Sequence, residues 1–312
     1  MLQTTNTILM IRPATFRLNE ETAINNYYQT TSENLKSKDV NKLAQEEFDG
    51  LVKKLRDTAV NVVIFNDDGS QDTPDSVFPN NWVSFHHNGD VALYPMFAEN
   101  RRRERREEVI LQLENEGFKI KNIVDYSAAE KEELFLEGTG SLVLDRVNRK
   151  AYCALSPRAD EELLIEFCED FEYTPVVFTA YQTVETKRLP IYHTNVMMCI
   201  AKEFAVICLD CIDDMKERKN VVKHLKEDRK EIISISEEQV NLFAGNMLEV
   251  SDSKGNSITV MSQSAYESLT QAQVVSIEKY SKILSSPLTT IETLGGGSAR
   301  CMMAEVFLPK EG

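Results

Sequence analysis

A cysteine behind a glycine triplet is the group best suited to covalent chemistry in this chain: Gly295-Gly296-Gly297-Ser298-Ala299-Arg300-Cys301. The glycines let backbone amides approach a ligand closely, and Arg300 beside the thiol favours its anionic, nucleophilic form. A thiol nucleophile needs a base, and there are only 4 histidines. His86 and His87 are adjacent, so on a strand they point to opposite faces and make a poor metal pair. His224 sits in a charge-dense stretch and reads as a solvated helix residue. His193, in Ile191-Tyr192-His193-Thr194-Asn195, precedes an apolar run; with Cys301 it forms a candidate nucleophile and base. Its context alone favours a satisfied core or edge imidazole. Cys208 and Cys211 form a lone Cys-x-x-Cys, half of a zinc set, and read as core packing, as do Cys153, Cys168 and Cys199. Two further segments look like site loops: Pro74-Asp75-Ser76-Val77-Phe78-Pro79-Asn80-Asn81-Trp82, around the only Trp, and Leu136-Glu137-Gly138-Thr139-Gly140-Ser141. Turn-forming Asp and Asn and a surface hairpin Glu are the plainer alternatives. The run from Arg101 to Arg106, followed by glutamates, is a solvated helical face unless one Arg turns inward.

The elements that must hold these groups alternate. Amphipathic, charge-rich stretches predict helices over 40–58, 101–116, 159–168, 216–230, 236–244 and 270–283. Between them, β-branched apolar runs predict strands over 60–65, 83–86, 91–94, 142–144, 176–181, 196–200, 205–208, 232–235, 257–261 and 301–308. The class is α/β. Closely spaced strand pairs, such as 83–86 with 91–94, imply antiparallel hairpins between crossovers, which argues against a doubly wound nucleotide fold. The glycine triplet leads into a β-like run instead of a helix, so it is no phosphate loop. No local sequence repeat establishes symmetry.

Composition narrows the partners. In 312 residues, 50 Asp and Glu against 35 Lys and Arg give a formal charge of −15, which argues against nucleic acid or an anionic membrane surface. No apolar run approaches the ~18 residues of a membrane span, and the start lacks the pattern of a cleaved leader. Six scattered Cys fit a reducing compartment, so the expected location is cytoplasmic. With few Gly and Pro and no linker-like stretch, residues 1–312 are expected to form one compact unit.

In chain order, these pieces resemble the guanidine-modifying (pentein) enzymes: arginine deiminases, amidinotransferases and, most closely in local wording, dimethylarginine dimethylaminohydrolases. The resemblance runs from about Asp75 to Leu308, through Asp75-Ser76-Val77-Phe78, Ala98-Glu99-Asn100-Arg101-Arg102-Arg103-Glu104, Glu137-Gly138-Thr139-Gly140, Ala154-Leu155-Ser156-Pro157-Arg158, His193 and the loop before Cys301. It implies a five-bladed α/β propeller with pseudo-fivefold symmetry and an axial site. It also implies roles: Cys301 as nucleophile, His193 as acid and then base, and Glu137 as the group orienting His193. Asp75 would take the substrate's α-ammonium, and Arg101 and Arg158 its α-carboxylate, with Arg102 the alternative in register. Neither a metal nor an organic cofactor is needed. The partner is a small amino-acid substrate, and a homodimer is left open. Where relatives carry carboxylates to grip a guanidinium, this chain has Asn80, Asn81 and Asn195. A neutral amide can donate to a carbonyl oxygen, which favours a ureido group. The leading expectation is therefore hydrolysis of citrulline to ornithine, ammonia and carbon dioxide. The alternatives are an arginine or methylarginine deiminase-type hydrolase, an amidinotransferase, and a non-catalytic amino-acid-binding propeller. The first ~40 residues are expected to act as a lid or to close a blade.

Overall fold

A computed structural model describes residues 2–30 and 37–310. Its strands fall into five three-stranded sheets with one shared pattern, in which an antiparallel hairpin is followed by a crossover to a parallel third strand. The second sheet joins Val83–Phe85, Asp90–Leu93 and Asn122–Asp125. The third joins Leu142–Asp145, Lys150–Leu155 and Thr174–Thr179. Met198–Ile200, Phe204–Ile207 and Glu231–Ser234 form the fourth, and Leu248–Ser251, Ser257–Ser262 and Lys282–Ser286 the fifth. The first sheet obeys the same rule with its hairpin partner drawn from the far end of the chain: Ala304–Glu305 pairs antiparallel with Thr7–Arg12, which pairs parallel with Asn61–Asn66. A separate hairpin, Tyr181–Val184 with Lys187–Pro190, lies outside the pattern.

Each crossover carries a helix, because a parallel return must travel the length of the sheet and cover its apolar face. Ser37–Asp57 buries Val40, Ala44, Phe48, Leu51 and Leu55, the spacing of one helical stripe. Asp39 near its start and Lys54 and Arg56 in its last turn complement the helix dipole. Glu107–Asn115, Glu161–Asp170, Met215–Glu227 and Gln271–Glu278 serve the other sheets. Capping boxes at Ser236 with Gln239 and at Thr270 with Gln273 fix two helix starts.

The apolar clusters run from sheet to sheet. Ile8 and Val62 pack with Val250, Val260 and Leu284, linking the first sheet to the fifth. Leu9 and Val63 pack with Val83 and Val91, linking it to the second. Ala92 and Tyr94 join Leu142 and Cys153 of the third. A larger cluster then joins Tyr152 and Val176 to Val206 and Ile207 of the fourth and Met261 of the fifth.

Several expected boundaries shift. The helix over 101–116 is two pieces, Glu99–Arg102 and Glu107–Asn115. Between and beside them Arg102 and Arg105 reach the carbonyls of Met96 and Tyr94 and the Glu130 carboxylate. The stretch 270–283 is helical to Glu278 and then becomes strand from Lys282. The expected strand over 196–200 begins only at Met198, after a helical turn Thr194–Met197. Of 301–308 only Ala304–Glu305 is strand, and Cys301 sits in the turn before it. The predicted strands omitted Thr7–Arg12, Asn122–Asp125, Lys150–Leu155 and Leu248–Ser251. Among the described residues, no helix is long and apolar enough to cross a membrane.

Candidate active site

The loops just ahead of the first strands carry the chemistry. Cys301 precedes Ala304–Glu305, Asn81 precedes Val83–Phe85, Glu137 precedes Leu142–Asp145 and His193 precedes Met198–Ile200. A small, tight cavity is lined by Cys301, His193, Asp75, Asn81, Arg101 and Arg158, together with Thr22, Phe78 and Tyr192. A larger groove beside Leu2, Thr5, His87 and Phe118 contains neither Cys301 nor His193.

His193 is buried, and its Nε2 lies 2.8 Å from Glu137 Oε2. A carboxylate can only accept, so Nε2 carries the proton. Burial pulls the imidazole down to about 4 against the opposing pull of Glu137, so the resting ring is neutral. Burial opposes ionisation of Glu137, yet Arg158, the bond to His193 and Arg101 together hold its carboxyl well below the usual range. Its second oxygen accepts from the Phe97 amide at 3.0 Å. The other ring nitrogen, Nδ1, sits against Gly140. A methyl there would stand 2.7 Å from Nδ1 and 2.4 Å from Asn81 Nδ2, so only glycine admits both side chains.

Arg101 is the inward member of its run, 2% exposed, whereas Arg102 is only half-buried and faces backbone carbonyls. Arg101, expected to clamp a substrate carboxylate with Arg158, lines the cavity with its donors already engaged: Nε and Nη2 form a fork with Glu104 at 3.0 and 2.8 Å, and Nη1 donates to Asn81 Oδ1 at 2.8 Å. Burial pushes Glu104 up to about 7 despite this pairing. With Asn81 Oδ1 committed to Arg101, Asn81 turns its amide nitrogen away from that contact, and Nδ2 has no partner among the described residues.

Asp75 is buried and burial raises its pKa; Oδ2 accepts from Asn19 at 2.7 Å and Thr22 at 3.2 Å, while Oδ1 has no partner among the described residues. Arg158 donates to Asn25 Oδ1 and to the Thr22 carbonyl at 2.9 Å, approaches Glu137 at 3.5 Å, and lies 4.9 Å from the Tyr192 ring centroid. Residues 19–25 thus join the site through Asp75 and Arg158. Thr7–Arg12 closes the first sheet, as expected for the amino-terminal segment, whereas 31–36 of that segment lie outside the described residues.

Two of the expected substrate-binding residues, Asn80 and Asn195, do not line this cavity. Asn80 is buried on the same short turn as Asn81, but it does not line the cavity; consecutive residues of a turn point in different directions, and both of its side-chain amide atoms lack a partner among the described residues. Asn195 stands behind the thiol, its Nδ2 3.5 Å from Cys301 Sγ. Arg300, expected to favour the thiolate, instead pairs with Glu305 at 2.9 Å and caps the Met303 carbonyl at 2.8 Å. Residues that sequence reasoning left out are Asn19, Thr22, Asn25, Glu104 and Asn246. Glu104 alone carried a signal, three positions after Arg101 on a helical pattern.

A buried thiol and a carboxylate-held imidazole lining one cavity, on five ββαβ sheets, place the chain among the penteins. More narrowly, the chain belongs to the family described as N,N dimethylarginine dimethylhydrolase, eukaryotic, whose profile matches residues 12–308. No curated protein matches. Similar solved structures include ArgZ, an arginine dihydrolase from the ornithine-ammonia cycle in Cyanobacteria, at 17% identity and a TM-score of 0.74; the match covers 98% of this chain and 41% of that one. This chain therefore spans about two fifths of full-length ArgZ. The N-terminal domain of ArgZ bound to product matches at 18% identity and a TM-score of 0.72, covering 97% of this chain and 99% of that one. A histidine-to-glycine variant of a dimethylarginine dimethylaminohydrolase, as its adduct with S-methyl-L-thiocitrulline, matches at 14% identity and a TM-score of 0.63, with 97% and 99% coverage.

Proposed function

We propose that this protein is a cysteine-dependent hydrolase that takes a guanidino amino acid through its ureido form: arginine and water to citrulline and ammonia, then citrulline and water to ornithine, carbon dioxide and ammonia. The five sheets, linked in a ring by their apolar clusters, are read as the blades of one propeller with this site on its axis. Neutral His193 takes the Cys301 proton through Nδ1, because Nε2–H is held by Glu137. The sulfur attacks the central carbon, and the imidazolium returns the proton to the departing nitrogen, which leaves as ammonia. A covalent thiouronium, or thiocarbamate in the second stage, remains on sulfur. Water deprotonated by His193 displaces it and the thiol is regenerated. The carbamate released in the second stage loses carbon dioxide to give ornithine.

The observation that carries the reading is that neutral amides stand where carboxylates would select a cation. Asn81 lines the cavity with a partnerless Nδ2 among the described residues, and Asn195 meets the sulfur. An amide N–H accommodates a ureido oxygen that a carboxylate would repel. Asp75, with its partnerless Oδ1, is assigned the α-ammonium and Arg158 the α-carboxylate. The relatives described as arginine dihydrolases support this reading. The family description supports a second one, release of dimethylamine from dimethylarginine. Purified protein incubated separately with arginine, citrulline and dimethylarginine, with ornithine, citrulline, ammonia and dimethylamine quantified, tests both. Ornithine from both arginine and citrulline is expected. Stoichiometric citrulline from arginine with no turnover of added citrulline would overturn the two-stage reading.

A further inference from the structure

Four of the five sheets bring a chemical group to the site from the loop ahead of their first strand, and the fifth has so far contributed none. In that sheet the corresponding loop holds Gly245-Asn246, immediately before Leu248–Ser251. Asn246 is fully buried, and its Nδ2 stands 3.3 Å from Cys301 Sγ and 3.0 Å from the Asn195 carbonyl. Its Oδ1 accepts the Arg300 backbone N–H at 3.0 Å. That bond settles the amide's orientation, because flipping it would set an NH2 against an N–H and an oxygen against a carbonyl. Both amide oxygens near the thiol are more distant, 3.9 Å for Asn195 and 3.7 Å for Asn246, so the sulfur sits closest to two N–H donors. Gly245 makes the approach possible: a Cβ there would lie 2.3 Å from the Val196 carbonyl oxygen, so the fifth loop is packed directly on the turn that carries Asn195.

We infer that Asn246 acts on the reaction as the fifth sheet's contribution, its amide donating to the Cys301 sulfur as the proton passes to His193 and fixing the direction of the sulfur. Charge-assisted N–H bonds to sulfur strengthen when the thiol gives up its proton and weaken when the sulfur is acylated, so the amide favours ionisation of the thiol and, later, release of the sulfur as the leaving group. The Arg300 N–H bond couples this amide to the residue next to the nucleophile, so the turn and the sulfur are aligned by one side chain.

This inference rests on Cys301 being the nucleophile, not on which substrate it attacks, and alkylation of Cys301 separates the two. Initial rates of iodoacetamide alkylation, located on Cys301 by peptide mass, are measured from pH 5 to 10 for wild type, Asn246→Asp, Asn246→Ser and Asn195→Ala. Asn246→Asp keeps the shape and the acceptor for Arg300 N–H but puts an oxygen against sulfur. It is expected to slow alkylation at neutral pH by at least tenfold, to move the rate profile toward alkaline pH, and to lower kcat by about a hundredfold with KM changed less than threefold. Asn246→Ser, which retains a small donor, is expected to fall between wild type and Asn246→Asp. Should Asn246→Asp fail to fold, Asn246→Ser carries the test, with circular dichroism confirming its fold. A folded variant with an unchanged alkylation profile and unchanged kcat overturns the inference. If Cys301 alkylates normally in wild type while no guanidino or ureido substrate turns over, it is the substrate reading that fails.

Discussion

Converting Asn81 to aspartate isolates the chemistry that distinguishes a ureido from a guanidinium substrate. Asn81 Oδ1 is bound to Arg101 at 2.8 Å, and Arg101 is itself forked on Glu104. The new carboxylate therefore keeps one oxygen on Arg101 and turns the other toward the place now held by Nδ2. For a ureido substrate this removes one donor bond, worth about 1 kcal/mol, and leaves the substrate carbonyl facing an acceptor, a desolvation penalty of about 1–2 kcal/mol. The sum of about 2–3 kcal/mol predicts a roughly 30- to 160-fold fall in kcat/KM for citrulline. A guanidinium gains an anionic neighbour, so arginine conversion is expected to fall far less, and citrulline should accumulate when arginine is supplied. Chromatographic time courses of arginine, citrulline and ornithine read the change directly. Equal losses on arginine and citrulline, with no accumulation of the intermediate, would refute the assignment of Asn81 as the group that reads the carbonyl.

Gly140→Ala is expected to retain the fold but displace His193 and Asn81, lowering kcat by about a hundredfold, since a shift of about 1 Å in a reacting group costs that much; steady-state kinetics with circular dichroism as control checks it. Because burial draws His193 down to about 4, the ring stays neutral over most of the acid range and protonates only as pH falls through that value. The acid limb of kcat/KM should therefore lie near pH 4, and a limb near the ordinary histidine value of about 6.5 would contradict the neutral-base mechanism. Glu104→Ala strips the buried Arg101 of its forked partner and is expected to cost about 3–5 kcal/mol in urea or thermal unfolding.

Cys301, His193 and Glu137 were legible as a candidate set because their residue types and order are unusual: a Cys after three Gly, one His in polar company, a Glu ahead of Gly-x-Gly. The alternation of hairpins and helices was legible too, through apolar periodicity. Lost were features that exist only between segments distant in the chain. Lys282–Ser286 continues the apolar spacing of the preceding helix, and only its pairing with Ser257–Ser262 makes it strand. Thr7–Arg12 gains its place from partners at both Asn61–Asn66 and Ala304–Glu305. Arg101 could be read as a substrate clamp because nothing in its neighbourhood says that Glu104 would be buried with it and saturate its fork. Asn246 carried no signal, since an Asn after a Gly is ordinary turn chemistry, and its value comes from lying beside a sulfur 55 positions later in the chain.

The first sheet, pairing Ile8 with Glu305 and Leu9 with Ala304, has a consequence for the life of the molecule. The turn bearing Cys301 runs straight into Ala304–Glu305, so one of the ties that seat the sulfur is a pairing between segments far apart in the chain and forms only once both are in place. Any clip that frees either strand should silence the thiol before it melts the other four sheets.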